Sequence, residues 1–468
     1  MNKAKIKFGT DGWRAIIADD FTVENVIRVA DATARWLLSK HKNSSVVVGH
    51  DCRFGGELFA ETAAKVFCAH GVKVFLSKGF VSTPMISMGT KNLGANAGVI
   101  ITASHNPASY NGYKLKSEFG GPLNPDSVSE VEAMIEDEVE LKLLSLKEYE
   151  ENGLLKYANQ EVSYIEAVKK NFDIAMINSK ISFAYDAMYG AGQNVIRELF
   201  PKAELLHCEN NPSFGGTPPE PLHKNLLELS ELIKSKGNIS CGLATDGDAD
   251  RIAMYDDKGN YVDAHHLLLL LIHYLHKYKN MNGKVVVAFS TSNKIKKMCG
   301  KYGLAYQVTK IGFKYICEIM VNENVLVGGE ESGGIAVAGH IPERDGIWDG
   351  LTLIEFMAKT GKTLSQLIQE VYEVVGAFAY DRNDLHLEES KKLDVVKKCE
   401  SGYFKKFGNY EVTNVESIDG YKFYFGADRT IMVRASGTEP LLRVYAEAPT
   451  RDEVNSMLQI AVNTLLNG

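Results

Sequence analysis

Three stretches of the chain repeat one alternation of apolar and polar positions. Val46-Val47-Val48-Gly49, Ile181-Ser182-Phe183-Ala184-Tyr185 and Val285-Val286-Val287-Ala288-Phe289 are short apolar runs, the composition of buried strands. Each ends in a polar or glycine-bearing turn, at residues 51–56, 186–190 and 290–293. A helical pattern follows, then a second apolar run at residues 72–76, 203–206 and 304–308. A third run comes after that, at residues 98–101, at 239–244 and in the segment ending at Val327. Strand, helix, strand, helix, strand, three times over, predicts three related α/β domains with mixed, largely parallel sheets. From Asp381 the rhythm changes to a charged helical stretch at 388–407 and short strands, with turns at Asp419-Gly420 and Gly426-Ala427-Asp428. That tail reads as a smaller C-terminal α+β domain. A charged helical stretch over 127–151 and Asn152-Gly153 place the first boundary, giving domains at 1–154, 155–256, 257–371 and 372–468.

The most apolar segment, residues 266–272, is far shorter than the roughly 20 residues a membrane span needs and predicts a buried helix. The net charge of -7 gives no basic footprint for nucleic acid. Seven scattered cysteines without C-x-x-C spacing point to neither zinc nor a disulfide framework, and a reduced, cytoplasmic protein is expected. The first residues carry positive charge with no apolar core after it, unlike a secretory signal. No membrane or nucleic-acid partner is expected.

What changes the picture is where the third runs end. The first leads into Thr102-Ala103-Ser104-His105-Asn106-Pro107, the second into Thr245-Asp246-Gly247-Asp248-Ala249-Asp250-Arg251, and the third into Gly328-Gly329-Glu330-Glu331-Ser332-Gly333-Gly334. The carboxyl ends of strands are where open α/β sheets put their chemistry. Alternate aspartates at 246, 248 and 250 put three carboxylates on one side of an extended loop, where they repel one another without a cation. Hard oxygen ligands favour Mg²⁺. The EF-hand reading fails, because Arg251 and Asp257 stand where glycine and glutamate are required. Arg251 is placed to offset the cluster or grip a phosphate.

Ser104 lacks the G-x-S-x-G elbow of a hydrolase nucleophile, and side chains of neighbours such as His105 point apart on an extended run. Beside a Mg²⁺ site such a serine can instead carry a phosphoryl group. By itself it would read as a turn before Pro107. Arg434-Ala435-Ser436-Gly437-Thr438 and Arg443 lie on and between two strand-like runs and make a candidate phosphate cradle of guanidinium forks, hydroxyls and a glycine. The plainer alternative is a hairpin with surface arginines. Glu330 and Ser332, framed by glycines that permit close approach, can grip sugar hydroxyls. Lys114, Lys314 and Arg14 could reach the same cleft, though each alone would read as a surface charge. Neither a P-loop nor a G-x-G-x-x-G run is present.

Taken in order, Phe8-Gly9-Thr10-Asp11-Gly12-Trp13-Arg14, TASHNP, DGDADR, GEESGG and RASGTEP resemble the α-D-phosphohexomutase family over almost the whole chain. The resemblance implies four domains around a central cleft. It implies that Ser104 stores the phosphoryl group and that Asp246, Asp248 and Asp250, with Ser104, hold Mg²⁺. Arg14, His105, Lys114 and Arg251 would support transfer, with Lys114 the first candidate to move the proton. Glu330, Ser332 and Lys314 would face the sugar, and Arg434, Ser436, Gly437, Thr438 and Arg443 its non-reacting phosphate. Two departures stand out: Phe313 follows Gly312 where some members have histidine, and the sugar loop has a second glutamate, Glu331. The second glutamate tilts the expectation toward glucose phosphates. The expected reaction is reversible conversion of glucose 1-phosphate and glucose 6-phosphate, primed by glucose 1,6-bisphosphate, in a monomer or homodimer. Mannose phosphates, alone or with glucose phosphates, are the near alternative and glucosamine phosphate a further one. A non-catalytic sugar-phosphate sensor and a Mg²⁺-dependent sugar phosphatase are the rivals of other classes.

Overall fold

The computed structural model describes residues 5–435 and 441–467. It contains four main sheets. The first runs Trp13–Ile16, Tyr110–Ser117, Ala97–Ile101, Ser45–His50, Lys73–Ser77, Leu155–Ala158 in spatial order. The second runs Tyr261–Val262, Ile252–Tyr255, Cys241–Thr245, Phe183–Asp186, Glu204–Leu206, and the third Tyr306–Thr309, Lys284–Ala288, Val325–Gly329, Ile335–Val337. In each, the unit's first apolar run is the middle strand, flanked in parallel by its second and third runs. An antiparallel partner then covers the third run. The chain therefore leaves the middle strand once toward each side, which opens a crevice at the carboxyl ends. All three motifs sit there. The fourth sheet, Ala379–His386, Leu441–Ala448, Thr430–Ala435, Tyr421–Tyr424, Asn414–Glu416, is wholly antiparallel and carries the helices Glu389–Glu400 and Arg451–Asn467. Three α/β domains and a smaller α+β domain are thus the architecture.

Several local expectations change. The charged stretch over 127–151 is two short helices, Pro125–Ala133 and Leu146–Glu151. Between them Glu136, Asp137, Glu138 and Glu140 offer like charges at helical spacing and little to bury. The stretch over 388–407 is helical only for Glu389–Glu400, ending before Gly402, whose φ of 67° suits a chain reversal. The first sheet takes in Leu155–Ala158, beyond the break expected at 154, because this strand pairs in parallel with Lys73–Ser77 before the next unit begins.

The helix Ala264–His273 is buried along its whole length, as its leucine run requires. It belongs to one apolar core that joins the second and third domains to the helix Thr83–Asn92 of the first. A separate small cluster of Phe289, Tyr380, Met432 and Tyr445 packs the fourth domain on the third. Among the described residues no helix is long and apolar enough to cross a membrane.

Candidate active site

Ser104 is reached from the strand Ala97–Ile101 by a loop pinned from both sides. Thr102 Oγ1 accepts the Ser104 N–H at 2.9 Å and donates to Asp51 Oδ2 at 2.5 Å. The buried Arg53 donates to the carbonyls of Ser104 (2.6 Å), Asn106 (2.7 Å), Pro107 (2.9 Å) and Tyr110 (3.0 Å). One guanidinium thereby satisfies four carbonyls that would otherwise need water. Ser104 itself has φ 54°, a left-handed conformation that costs a side-chain-bearing residue on the order of 1 kcal/mol. That twist changes the expected relation to His105. The two side chains do not diverge: Ser104 Oγ donates to Asp246 Oδ2 at 2.6 Å, and His105 Nδ1 lies 3.3 Å from Ser104 Oγ. Burial, then the charges of Arg251 and Arg14, push the His105 pKa well down, so its ring is neutral. Arg14 Nη1 donates to Asn106 Oδ1 at 2.7 Å, which sets it on the rim of this loop.

The three aspartates follow the strand Cys241–Thr245, and one oxygen from each lies within 4.8 Å of the others, all fully buried. The convergence is made by a turn rather than by extended alternation. Ala249 has φ 56°, and Asp246 Oδ1 accepts the N–H groups of Asp250 (3.0 Å) and Arg251 (3.1 Å). Gly247 is required here, since a Cβ would stand 2.5 Å from the Ser104 carbonyl oxygen. The serine loop and the aspartate loop therefore touch by backbone.

Two buried cations serve the cluster. Lys114 Nζ lies 2.8 Å from Asp248 Oδ2, 3.2 Å from Asp250 Oδ2 and 2.8 Å from Asp11 Oδ2. Arg344 Nη2 lies 2.5 Å from Asp250 Oδ2 and 2.7 Å from Asp11 Oδ2. Burial would raise the Asp248 pKa, but the charge and hydrogen bond of Lys114 outweigh it and hold the carboxyl below its usual range. Asp246 has no such neighbour: burial, Asp248 and Asp250 push it well up, with Arg251 opposing. Lys114, the expected proton mover, is held among three carboxylates. Burial disfavours its charge, yet Asp11, Asp248 and Asp250 outweigh that and raise its pKa, which favours the charged form. Arg251 sits 3.5 Å from Glu220 Oε1, and its Nε is buried without a hydrogen-bond partner among the described residues.

The donor set fits a divalent cation. Asp11, Asp246, Asp248 and Asp250 outnumber Lys114 and Arg344, and Asp248 Oδ1 and Asp250 Oδ1 are buried without a hydrogen-bond partner among the described residues. Oxygen-only ligands match Mg²⁺.

Glu330 follows the strand Val325–Gly329. Its Oε1 accepts the Gly312 N–H at 2.9 Å, and its Oε2 is 3.8 Å from Arg344 Nη1. Burial raises its pKa to about 7, with Arg344 opposing. Ser332 is half-buried in the turn beyond. Glu331 faces elsewhere: it accepts hydrogen bonds from Ser290 Oγ and, at 3.5 Å, from the Tyr445 hydroxyl of the fourth domain. The second glutamate, on which the tilt to glucose rested, thus serves a domain contact. Phe313, directly after Gly312, puts its ring 5.5 Å from the Arg344 guanidinium carbon. Lys314 lies over the Tyr315 ring, 5.4 Å from its centroid. Arg434 and Arg443 stand opposite each other on paired strands. Like charges so placed repel unless an anion is shared between them. Ser436, Gly437 and Thr438 lie outside the described residues.

Sequence reasoning missed Asp11, Arg53 and Arg344. Asp11 and Arg53 stood in stretches already singled out, the first motif and the turn after the run at 46–49, but neither had a local feature to mark it. Arg344 had no local signal and acquires its place only through the fold.

A serine beside a buried carboxylate triad, a buried glutamate on the third domain and paired arginines on the fourth are the groups a phosphohexomutase, an isomerase-class phosphotransferase, would need. Models of the phosphoglucomutase/phosphomannomutase family match all four parts: alpha/beta/alpha domain I at residues 5–142, domain II at 162–259, domain III at 263–375 and the C-terminal domain at 382–463. The chain belongs to that family. It is 30% identical over 464 residues to a phosphoglucomutase/phosphomannomutase of Thermococcus kodakarensis, covering 98% of each. It is 31% identical to a phosphoglucosamine mutase of Bacillus mycoides, covering 95% of each. The crystal structure of a Thermus thermophilus protein that carries the phosphomannomutase name superposes with a TM-score of 0.87 at 32% identity, over 100% of both chains.

Proposed function

We propose that the protein interconverts glucose 1-phosphate and glucose 6-phosphate through a phosphoserine at Ser104. The observation that carries the phosphoserine is the buried Ser104 Oγ, 2.6 Å from Asp246 at the meeting of the two loops; the choice of glucose rests on the name of the Thermococcus kodakarensis relative and no longer on Glu331. In the forward half-reaction the bond from Ser104 Oγ to phosphorus breaks as the free sugar hydroxyl bonds to phosphorus; the sugar hydroxyl gives up its proton and Ser104 Oγ gains one, giving glucose 1,6-bisphosphate and a free serine hydroxyl. In the second half-reaction Ser104 takes back the other phosphoryl group, and its hydroxyl proton has Asp246 and His105 within reach. Lys114 and Arg251 offset charge in transfer, and Arg14 holds the loop through Asn106. Asp246, Asp248 and Asp250, with the Ser104 phosphoryl oxygens, would hold Mg²⁺, which offsets charge on the transferring group when bound. Glu330, Ser332 and Lys314 face the sugar, and Arg434 and Arg443, with Ser436, Gly437 and Thr438, take the non-reacting phosphate. Glucose 1,6-bisphosphate serves as activator.

The Thermococcus kodakarensis relative's name supports glucose and mannose phosphates. The Bacillus mycoides relative's name supports glucosamine phosphate as the second reading. The ratio of kcat/KM on the three sugar 1-phosphates decides between them. A preference for glucosamine or mannose phosphate above about 100-fold, near the upper end of what a single small group commonly gives, overturns the glucose reading.

Glu330 supplies a pH test. With its pKa near 7, it is protonated below that value and loses the charge that accepts sugar hydroxyls. KM for the sugar phosphate is therefore expected to rise as pH falls through 7, and Glu330→Gln is expected to raise KM about tenfold and flatten that limb. An unchanged pH profile in the variant would remove Glu330 from sugar binding.

A further inference from the structure

Asp419 lies in the turn before the strand Tyr421–Tyr424 and holds two things at once. Its Oδ1 is 3.3 Å from Nε of Arg434, and its Oδ2 accepts the N–H of Ile311 in the third domain at 3.0 Å. The turn is built for this closeness. Gly420 has φ 108°, and a Cβ there would stand 2.6 Å from the Val433 carbonyl oxygen and 3.1 Å from the Arg434 Cβ. Ile311 adjoins Gly312, whose N–H binds Glu330. Glu330 in turn lies beside Arg344, which reaches Asp250 and Asp11. A polar chain therefore runs from the fourth-domain arginine to the aspartate cluster, and one carboxylate carries its crossing between domains.

Resting on the sugar-phosphate reading above, we propose that Asp419 is a positioning residue that couples the phosphate grip of Arg434 to the sugar-reading Glu330. By taking the Nε edge of Arg434 it leaves the terminal nitrogens of the fork for the substrate's non-reacting phosphate. By holding Ile311 it fixes the loop that aims Glu330. An asparagine has one oxygen and one N–H₂ group, so Asp419→Asn keeps the shape and loses one of the two bonds.

The test is a double-mutant cycle on kcat and KM with Asp419→Asn, Glu330→Gln and the pair. Amide hydrogen exchange of the peptide spanning Ile311 and Gly312 is measured alongside in the ligand-free protein. Asp419→Asn is expected to raise KM about tenfold, the size of one charge-assisted hydrogen bond, with kcat much less affected. The double variant is expected to fall short of the product of the two single effects, and exchange at Ile311 and Gly312 to quicken. Multiplicative effects would overturn the coupling. The exchange readout needs no substrate. A wild type inactive on every hexose phosphate, with exchange still quickened by the substitution, would therefore sink the proposed function and leave the latch standing. Unchanged exchange would sink the latch whatever the activity.

Discussion

Ser104→Ala is expected to lower mutase turnover by about a thousandfold or more, the scale of losing a nucleophile that other groups cannot replace. The fold should survive, because the loop is held by contacts that alanine keeps. The Ser104 N–H still finds Thr102, and Arg53 binds carbonyl oxygens rather than the hydroxyl. The loss should therefore appear in kcat, with glucose 1-phosphate binding largely retained, since the proposed binding groups Glu330, Arg434 and Arg443 lie on other elements of the fold. Steady-state kinetics with glucose 1,6-bisphosphate present and a thermal melt of both proteins check this. Turnover within about tenfold of wild type would exclude a covalent role, because nucleophile removal does not cost so little.

Arg344→Met carries the largest expected effect on stability. Arg344 is buried against Asp250 and Asp11, and among the described residues its removal leaves the Asp250 carboxylate with only the more distant Lys114 nitrogen at 3.2 Å. Breaking a buried ion pair from one side costs about 3–5 kcal/mol, because the remaining charge is stranded. Spread over domains of this size, that corresponds to a drop on the order of 10 °C in the transition that reports on the cleft. Mg²⁺ should raise the melting temperature of the variant more than that of wild type, because a cation at Asp246, Asp248 and Asp250 would supply positive charge to the carboxylate cluster that Arg344 serves. A loss below about 1 kcal/mol, or equal Mg²⁺ effects on both proteins, would mean that Arg344 acts only by packing on Phe313.

What the sequence revealed follows from how local each feature is. The strand ends at 101, 245 and 329 are legible because a buried strand and the loop after it are contiguous in the chain. The aspartates at 246, 248 and 250 are likewise contiguous, although the turn through Ala249 that converges them is not what alternation implied. The Ser104–His105 contact was hidden because one positive φ reverses the direction expected of neighbours. Lys114 was named, but its state was not, since three carboxylates from two other segments decide it. Arg344 meets Asp11 across 333 positions of chain, a distance over which no spacing rule reads. Glu331 shows the reverse failure: a motif position invites a sugar-binding role, while Ser290 and Tyr445 claim its oxygens.

The central claim is that Ser104 carries the phosphoryl group between the two positions of one sugar. Protein incubated with Mg²⁺ and glucose 1,6-bisphosphate, then digested for peptide mass spectrometry, tests it directly. One phosphoryl group is expected on the peptide containing Ser104, and it should move to the sugar when glucose 1-phosphate is added, without free phosphate appearing at the same rate. A Ser104 peptide that stays unmodified while substrate turns over, or phosphate released in step with sugar loss, would contradict it.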